Sequence, residues 1–189
     1  MSKINLILSG LMIWTAAASA ALAGDSDVSL LATRLIQALG DRDMATLAAS
    51  VHPARGVRFS PYPFIDVKCD RVLSAGEVKG MLADNRKLEW GHADGTGEPI
   101  VMTPGRYLAR MVFDRDFRKA PRVSVGQAIS SGSGKENWKE VYGDGEIVEY
   151  YFPGSSQYAG MDWAGLRLIF QRTGGTWCLV GIVRNQWTI

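Results

Sequence analysis

The chain has 189 residues, of which 47% are hydrophobic and 21% are charged, and its mean hydropathy is −0.02. This composition is typical of a globular protein and excludes the collagen-like, disordered and multi-span membrane classes. The 21 basic and 19 acidic residues leave a net charge of +2. The sequence contains no clustered basic segment, so we expect no nucleic-acid partner.

The N-terminus has the pattern of an export signal. Lys3 is followed by an uncharged stretch from Ile4 to Ala23, in which an apolar core leads into an alanine-rich end. Ala21 and Ala23 form an A-x-A cleavage site. The alternative, an uncleaved N-terminal anchor helix, is disfavoured by that alanine-rich end.

Cleavage after residue 23 would release a mature chain that begins at Gly24. We expect residues 1–23 to be a signal peptide and residues 24–189 to form a single domain. The predicted product is secreted or periplasmic and has no stable membrane span after processing.

Two linked helices are predicted to open this domain. The side chains of Asp25–Asp27 are typical of a helix start, apolar residues such as Leu35 follow at helical spacing, and Gly40 lies where the helix should end. A second helix is predicted to begin at Asp43 and to end near His52, because the following proline disfavours helical geometry.

The middle of the chain mixes strands and short helices. Gly56–Tyr62 is predicted to be a strand, and residues 87–90 and 98–101 are predicted to be strands on either side of a glycine-rich turn. Ser74 and Glu77 have the spacing of a capping box, and Thr103 precedes a proline that suits the first position of a fourth helix.

The last third is predicted to be rich in strands. The predicted strands cover residues 122–129, 146–152, 166–171 and 176–183, and Gly174-Gly175 indicates a tight hairpin between the last two. Early helices followed by an antiparallel sheet make the predicted fold class α+β. The predicted core contains Leu31, Leu35, Leu47, Phe59, Leu108, Val112, Leu168, Phe170, Leu179 and Ile182.

Seven short motifs of the chain have a recognisable pattern, and they are residues 56–62, 94–100, 148–154, 160–163, 166–170, 179–182 and 186–189. These motifs resemble those of a family of uncharacterised exported bacterial proteins. The order of the elements, in which two leading helices precede a terminal antiparallel meander, is similar to that of the NTF2-like (SnoaL-like) superfamily.

The NTF2-like resemblance implies a cone in which N-terminal helices pack on a curved antiparallel sheet. Some members of that superfamily use the cavity of the cone for catalysis, and many use it for binding or pairing. The resemblance implies no particular reaction for this chain.

Five side chains are predicted to line a ligand site if the cone has one. They are Arg58 and Tyr62 on the first strand, Tyr151 on a central strand, Trp187 near the C-terminus, and His52. His52 is also the best single acid–base candidate, but a structural role is the preferred interpretation, because the helix dipole favours a histidine at a helix C-terminus.

The other polar clusters are explained without a cofactor. His92, Asp94 and Glu98 fit no zinc or EF-hand spacing, so we expect turn chemistry there and no metal. Asp114 and Asp116 diverge at i,i+2 on a helix and are expected to join a surface network with arginine.

The mid-strand arginines and the two cysteines have structural interpretations. Arg58 and Arg167 could bind an anionic ligand, pair with Asp66 or Glu149, or meet solvent, and ion pairs inside the fold are the expected outcome. Cys69 and Cys178 lack C-x-x-C spacing, and the sequence is equally consistent with a disulfide or with two separate thiols.

The sequence therefore predicts an exported domain that binds a small molecule or a protein partner, without demonstrable catalysis and without a cofactor. The alternative function is a small acid–base enzyme, an isomerase or hydrolase, with its site in the cone. A third interpretation is an interaction module whose sheet face pairs with another protein or with a second copy to form a homodimer.

Overall fold

The structure, a computed structural model, describes residues 15–129 and 135–186, with side chains described from residue 27 onward. Its helices are α1 (Thr15–Asp41), α2 (Met44–Ala49), α3 (Ala75–Gly80), α4 (Pro104–Tyr107) and α5 (Trp138–Tyr142). A π-helical turn (Leu108–Val112) continues α4, and 3-10 turns cover Phe117–Lys119 and Ser156–Tyr158. The strands are β1 (Val57–Ser60), β2 (Arg71–Leu73), β3 (Leu88–His92), β4 (Pro99–Met102), β5 (Arg122–Val125), β6 (Glu146–Phe152), β7 (Ala164–Thr173) and β8 (Thr176–Gln186).

Six strands form one curved, open sheet in the order β2-β1-β8-β7-β6-β5, while β3 and β4 form a separate hairpin. The mixed α+β class predicted from the sequence is confirmed. The sheet is not wholly antiparallel, however, because β1 pairs with β8 in parallel. Parallel strands need a long connection. The other four strands of the sheet lie between β1 and β8 in the sequence, so the connection between these two strands is long enough.

Helix α1 differs from its prediction at both ends. It begins at Thr15, so Asp25–Asp27 lie inside the helix and do not cap its start. It continues through Gly40, where a Cβ would come within 2.7 Å of the Arg118 Nε, and the left-handed residue after the helix is Arg42, with φ of 57°. Glycine is therefore used at position 40 for a close approach.

The predicted signal segment lies only partly within the described residues, because residues 1–14 fall outside them. No helix of the part that is described is long and apolar enough to cross a membrane. Cleavage after residue 23 and a single domain over 24–189 stay predictions.

The first apolar cluster joins α1 to one face of the sheet. The helix buries Val28, Ala32, Leu35 and Leu39, whereas Leu30 is 70% exposed. Nine of the ten residues predicted for the core are buried, and Leu31 packs on the same cluster while half-buried.

Three of the four predicted helix starts, those at Asp43, Ser74 and Thr103, are confirmed by their capping contacts. Asp43 Oδ1 accepts a hydrogen bond from the Thr46 N–H at 3.1 Å, and the Ser74–Glu77 capping box is formed in both directions. The Thr103 hydroxyl accepts from the backbone of the fourth helix. The π-helical turn extends this helix to Val112, and the following 3-10 turn begins at the buried Phe117.

The strand-rich end follows the prediction closely. Gly174 and Gly175 have φ of 55° and 83°, as a two-residue hairpin turn requires, and they connect β7 to β8. The short elements β2 and α5 were not predicted. With three and five residues, they are too short to show a periodic apolar pattern.

The two faces of the sheet are covered differently. One face packs on α1, on α4 and on the β3–β4 hairpin, whose Trp90 stacks on Tyr107 at a ring-centroid distance of 4.0 Å. The other face carries a smaller cluster in which α5 and Ile65 cover Ile169 and Val183. The loop between β1 and β2 lies between these two regions and lines both depressions described below.

Candidate functional site

A depression of about 360 Å³ lies where the loop after β1 meets the end of the β3–β4 hairpin. Pro61 and Pro63 end β1, because proline cannot continue the hydrogen-bond ladder of a sheet. The opposite wall is the glycine-rich turn between β3 and β4. The depression, called here the Asp70 depression, is lined by Pro61, Tyr62, Pro63, Phe64, Asp66, Asp70, His92, Ala93, Asp94, Gly95 and Gly97.

A closed turn fixes the orientation of the Asp70 side chain. The Asp66 N–H donates to Asp70 Oδ2 at 3.0 Å, and the Asp70 N–H donates to the Asp66 carbonyl at 2.9 Å. Asp66 Oδ1 in turn accepts from the backbone N–H groups of Lys68 and Cys69. The Lys68 contact is the main reason that the pKa of Asp66 lies below its usual value. Asp66 is therefore held as a carboxylate.

Asp70 is the buried titratable group of this depression. Only 7% of the residue is exposed, and burial raises its pKa to about 6, against a smaller lowering by the neighbouring Ser60 hydroxyl. Gly91, with φ of 115°, lies directly against it, and a Cβ there would come within 2.9 Å of Asp70 Oδ1. Glycine at position 91 thus leaves room for the carboxyl group.

A buried tyrosine lies behind the carboxyl group. Tyr107 is 1% exposed, and burial followed by the charge of Asp70 raises the pKa of its hydroxyl well above the usual value. Its ring is held by stacking on Trp90 and by an edge contact with Phe59. This packing makes a rigid floor under Asp70.

The arrangement provides one carboxyl group that exchanges its proton near neutral pH, beside two further carboxylates and two aromatic rings. Phe64 is 52% exposed and Tyr62 is half-buried, so both rings are accessible from the depression. A carboxyl group with a pKa near 6 can bind a cation when ionised and can also accept or donate a proton.

A second depression, called here the arginine cleft, has a volume of about 350 Å³ and lies near the junction of β1, β2 and α5. It is lined by Arg55, Arg58, Val67, Val72, Glu140, Val141, Tyr142 and Val180. The β1–β2 loop contributes Asp70 to the first depression and Val67 to the second.

The structure places the predicted ligand residues in different surroundings. Arg58 lines the arginine cleft, and Tyr62 lines the Asp70 depression. Tyr151 packs near Trp163 at the β5 side of the sheet, with the Arg122 guanidinium 5.7 Å from its ring centroid. Arg58, Tyr62 and Tyr151 therefore do not share one set of neighbours, and their role in ligand binding stays a prediction.

His52 and Trp187 complete the predicted set. His52 Nδ1 accepts hydrogen bonds from the Ala54 and Arg55 N–H groups, at 3.2 and 3.1 Å, so the ring closes the turn between α2 and β1. The Nδ1 lone pair is therefore engaged in backbone contacts. Trp187 lies outside the described residues.

Within residues 27–129 and 135–186, no three histidine, cysteine or acidic side chains come together in a way that could hold a metal ion. His92 Nε2 lies 3.7 Å from Glu89 Oε1, and Asp94 belongs to the turn between β3 and β4. Cys69 and Cys178 are both half-buried free thiols, which settles the alternatives that the sequence left open.

The two mid-strand arginines have different kinds of partner, and only Arg167 forms the expected ion pairs. Arg167 is 1% exposed and forms ion pairs with Glu149, itself fully buried, at 3.1 Å and with Glu136 at 2.6 Å. Arg58 differs from the prediction of an ion pair, because its Nη1 donates to the carbonyl oxygens of Val67 and Asp70. It thereby holds the β1–β2 loop in place.

The acidic pair after α4 forms ion pairs with arginines, as predicted. Asp116 contacts Arg118, which also reaches Asp41, in an exposed network. Asp114 instead reaches the buried Arg184, with Oδ2 3.0 Å from its Nη2. One carboxylate of the pair therefore supports the core and the other lies at the surface.

The sequence did not indicate Asp70, Arg55 or Tyr142 as members of a site. Asp70 lies in a loop rich in polar residues, where burial is not expected, and the Gly91 backbone of the β3–β4 hairpin packs directly against its carboxyl group. Tyr142 lies on a helix too short to predict. The prolines at 61 and 63 were the one available signal that the chain turns at this site.

No protein-family model, curated protein or solved structure is similar enough to this chain to count as a match.

Proposed function

We propose that the protein is an exported ligand-binding domain with an NTF2-like fold, and that it binds a small organic cation in the Asp70 depression. The observation that carries the proposal is the buried Asp70 carboxyl group on the floor of an open, aromatic-walled depression. The signal-like N-terminus supports export, and the order of helices and strands supports the NTF2-like assignment.

The charge of the depression selects the class of ligand. Asp66, Asp70 and Asp94 line it together with a single histidine. A carboxylate removed from water binds an ammonium group more strongly than one in bulk solvent does. The accessible faces of Tyr62 and Phe64 add the cation–π attraction that alkylammonium groups find on aromatic rings.

Benzylammonium is a suitable probe, because it joins a positive charge to an aromatic body of the right size. We expect it to shift the NMR signals of Tyr62, Asp70 and His92 in the ¹⁵N-labelled protein, with a Kd of about 1 mM, typical of a fragment. Affinity should fall about tenfold from pH 8 to pH 5, because Asp70, with a pKa of about 6, is then mostly protonated.

Asp70→Asn is the decisive variant, since it keeps the shape of the side chain and removes its charge. It should abolish the shifts, whereas Asp144→Asn, at an exposed carboxylate before β6, should leave them unchanged. Equal binding by Asp70→Asn and the parent protein would disprove the role of Asp70.

A small acid–base enzyme is the second candidate function, and the raised pKa of Asp70 favours it. A general base is most effective when its pKa lies near the working pH. The substrate class would be a carbon acid small enough to enter the depression, with Asp70 as the proton acceptor and Tyr62 and His92 as nearby hydrogen-bonding groups.

The ring opening of 5-nitrobenzisoxazole tests this second function, because it begins when a base removes the ring C3 proton. Catalysis by Asp70 predicts a rate that rises through pH 6 and is lost in Asp70→Asn. A rate that is the same in both proteins would leave only the binding function.

A further inference from the structure

We infer that the arginine cleft binds a small organic carboxylate with an apolar or aromatic body. This site is separate from the Asp70 depression and takes a ligand of opposite charge. Arg55 and Arg58 would bind the carboxylate, and the valines around them would contact the apolar body.

The two guanidinium groups are held in place by uncharged partners. Arg58 Nη1 donates to the carbonyl oxygens of Val67, at 3.2 Å, and Asp70, at 2.8 Å. Arg55 donates to Gln171 Oε1, and its Cζ lies 5.5 Å from the centre of the Tyr142 ring. Among the side chains described for residues 27–129 and 135–186, no carboxylate lies within ion-pair distance of either arginine.

This anchoring suits the recognition of an anion. A guanidinium group that is already oriented loses little side-chain freedom on binding, and its remaining N–H groups match the two oxygens of a carboxylate. Arginine without a carboxylate partner also leaves the cleft positively charged. Its lining contains two arginines and one acidic residue, Glu140, so a singly charged ligand is a better match than a phosphate dianion.

Tyr142 marks the inner wall of the cleft. It is 3% exposed, and burial raises its pKa to about 12, although Arg58 and Arg55 both act in the opposite direction. The Arg55 guanidinium lies 5.5 Å from the centre of the Tyr142 ring, which places this residue beside the charged part of the cleft. The hydroxyl stays protonated near neutral pH and donates to the Val180 carbonyl oxygen at 3.3 Å.

Apolar surface borders the positive charge. Val67 and Val72 both line the cleft and are 54% and 40% exposed, so their side chains are open to a ligand. Val141 adds a half-buried apolar contact from α5. A cleft with charged hydrogen-bond donors and aliphatic walls fits an amphipathic anion, and its volume lies within the range of about 300–1,000 Å³ found for small-molecule sites.

The test uses benzoate, which has the aromatic body of benzylammonium and the opposite charge. In the ¹⁵N-labelled full chain, benzoate should shift the signals of Arg55, Arg58, Tyr142 and Val180, while benzylammonium should leave them unchanged. Arg55→Gln and Arg58→Gln should each weaken benzoate binding about tenfold, as the loss of one charge-assisted contact does.

Arg106→Gln is the matched control, because Arg106 is an exposed arginine on α4, away from the cleft. It should bind benzoate as the parent protein does. Arg58 also holds the β1–β2 loop, so Arg55→Gln provides the readout if Arg58→Gln fails to fold. The inference is overturned if benzoate shifts none of the four signals, if Arg106→Gln weakens binding as much as Arg55→Gln, or if benzylammonium binds equally well in the cleft.

The two proposed sites can be tested independently of each other. Loss of benzylammonium binding without loss of benzoate binding would contradict the cation site alone, and the reverse result would contradict the carboxylate site alone.

Discussion

At the scale of single residues, Asp70 shows how burial converts a loop carboxylate into a group that titrates near pH 6. The β1–β2 loop supplies its hydrogen bond, and the hairpin opposite removes it from water. The same protein holds Asp66, four residues away, in the ionised form through backbone donors. Two carboxyl groups of one turn therefore differ in charge between about pH 4 and pH 6.

Asp70→Asn should stabilise the protein at alkaline pH. The pKa of Asp70 in the folded protein lies above the ordinary value of 3.8, so the folded state binds the proton more tightly, and stability falls as the pH rises from about 4 to about 6. Above that window the ionised group costs about 1–3 kcal/mol. We expect urea unfolding to show a gain of this size for the variant at pH 8 and none at pH 4, and an equal gain at both pH values would contradict the assignment.

The buried Arg167–Glu149 pair makes a second residue-scale prediction. Glu149→Gln removes one of the two carboxylates that Arg167 contacts, and Glu136 stays in place. Breaking a buried pair on one side costs about 3–5 kcal/mol, and the remaining partner should keep the loss near the lower end. The double variant Glu149→Gln/Arg167→Met should recover part of this lost stability, as measured by urea unfolding. If it recovers none, the loss in Glu149→Gln does not come from an unpaired charge on Arg167.

At the scale of elements, α1 shows that apolar spacing indicates a buried helix face only approximately. Leu30 and Leu31 are neighbours of the buried stripe, yet Leu30 points to solvent and Leu31 is half-buried. The buried residues of the helix recur with its 3.6-residue repeat and are Val28, Ala32, Leu35, Ile36, Ala38 and Leu39.

This helix face gives a matched pair of variants. Leu35→Ala should cost about 2–5 kcal/mol of unfolding free energy, because it leaves a cavity in the main core. Leu30→Ala, at a 70% exposed position, should change it by no more than about 0.5 kcal/mol. Thermal and urea unfolding of the two variants will check this difference, and equal losses would mean that the helix packs through another face.

At the scale of the whole molecule, the sheet is open at both edges and short strands occupy them. The edge strand β2 has three residues and β5 has four. Short edges limit the pairing of strands between molecules. The β1–β2 loop, which joins the β2 edge to the sheet, contributes to both proposed sites.

Processing of the N-terminus is the whole-molecule prediction. Protein exported by its own host should have an intact mass that corresponds to a start at or near Gly24. The helix that remains would have Asp25 and Asp27 in its first turn, where negative charge is favourable. Recovery of a membrane-bound form that retains Met1 would contradict the prediction. Native mass spectrometry of the same sample will also report the oligomeric state and any retained ligand.

The amino-acid sequence by itself determined the features that depend on near neighbours in the chain. The helix starts at Asp43, Ser74 and Thr103 were readable because they depend on contacts between residues three apart in the chain. The Gly174-Gly175 hairpin was readable because its backbone angles favour glycine. The α+β class followed from the order of the apolar patterns.

Tertiary structure alone decided the candidate sites. Burial of Asp70 needs the β3–β4 hairpin against the loop after β1, and the arginine cleft brings Arg58 and Val180 together across more than a hundred residues of chain. The parallel pairing of β1 with β8 likewise joins distant segments. Such contacts depend on how apolar faces pack in three dimensions. The local periodicity of apolar residues does not indicate which distant residues line the same pocket.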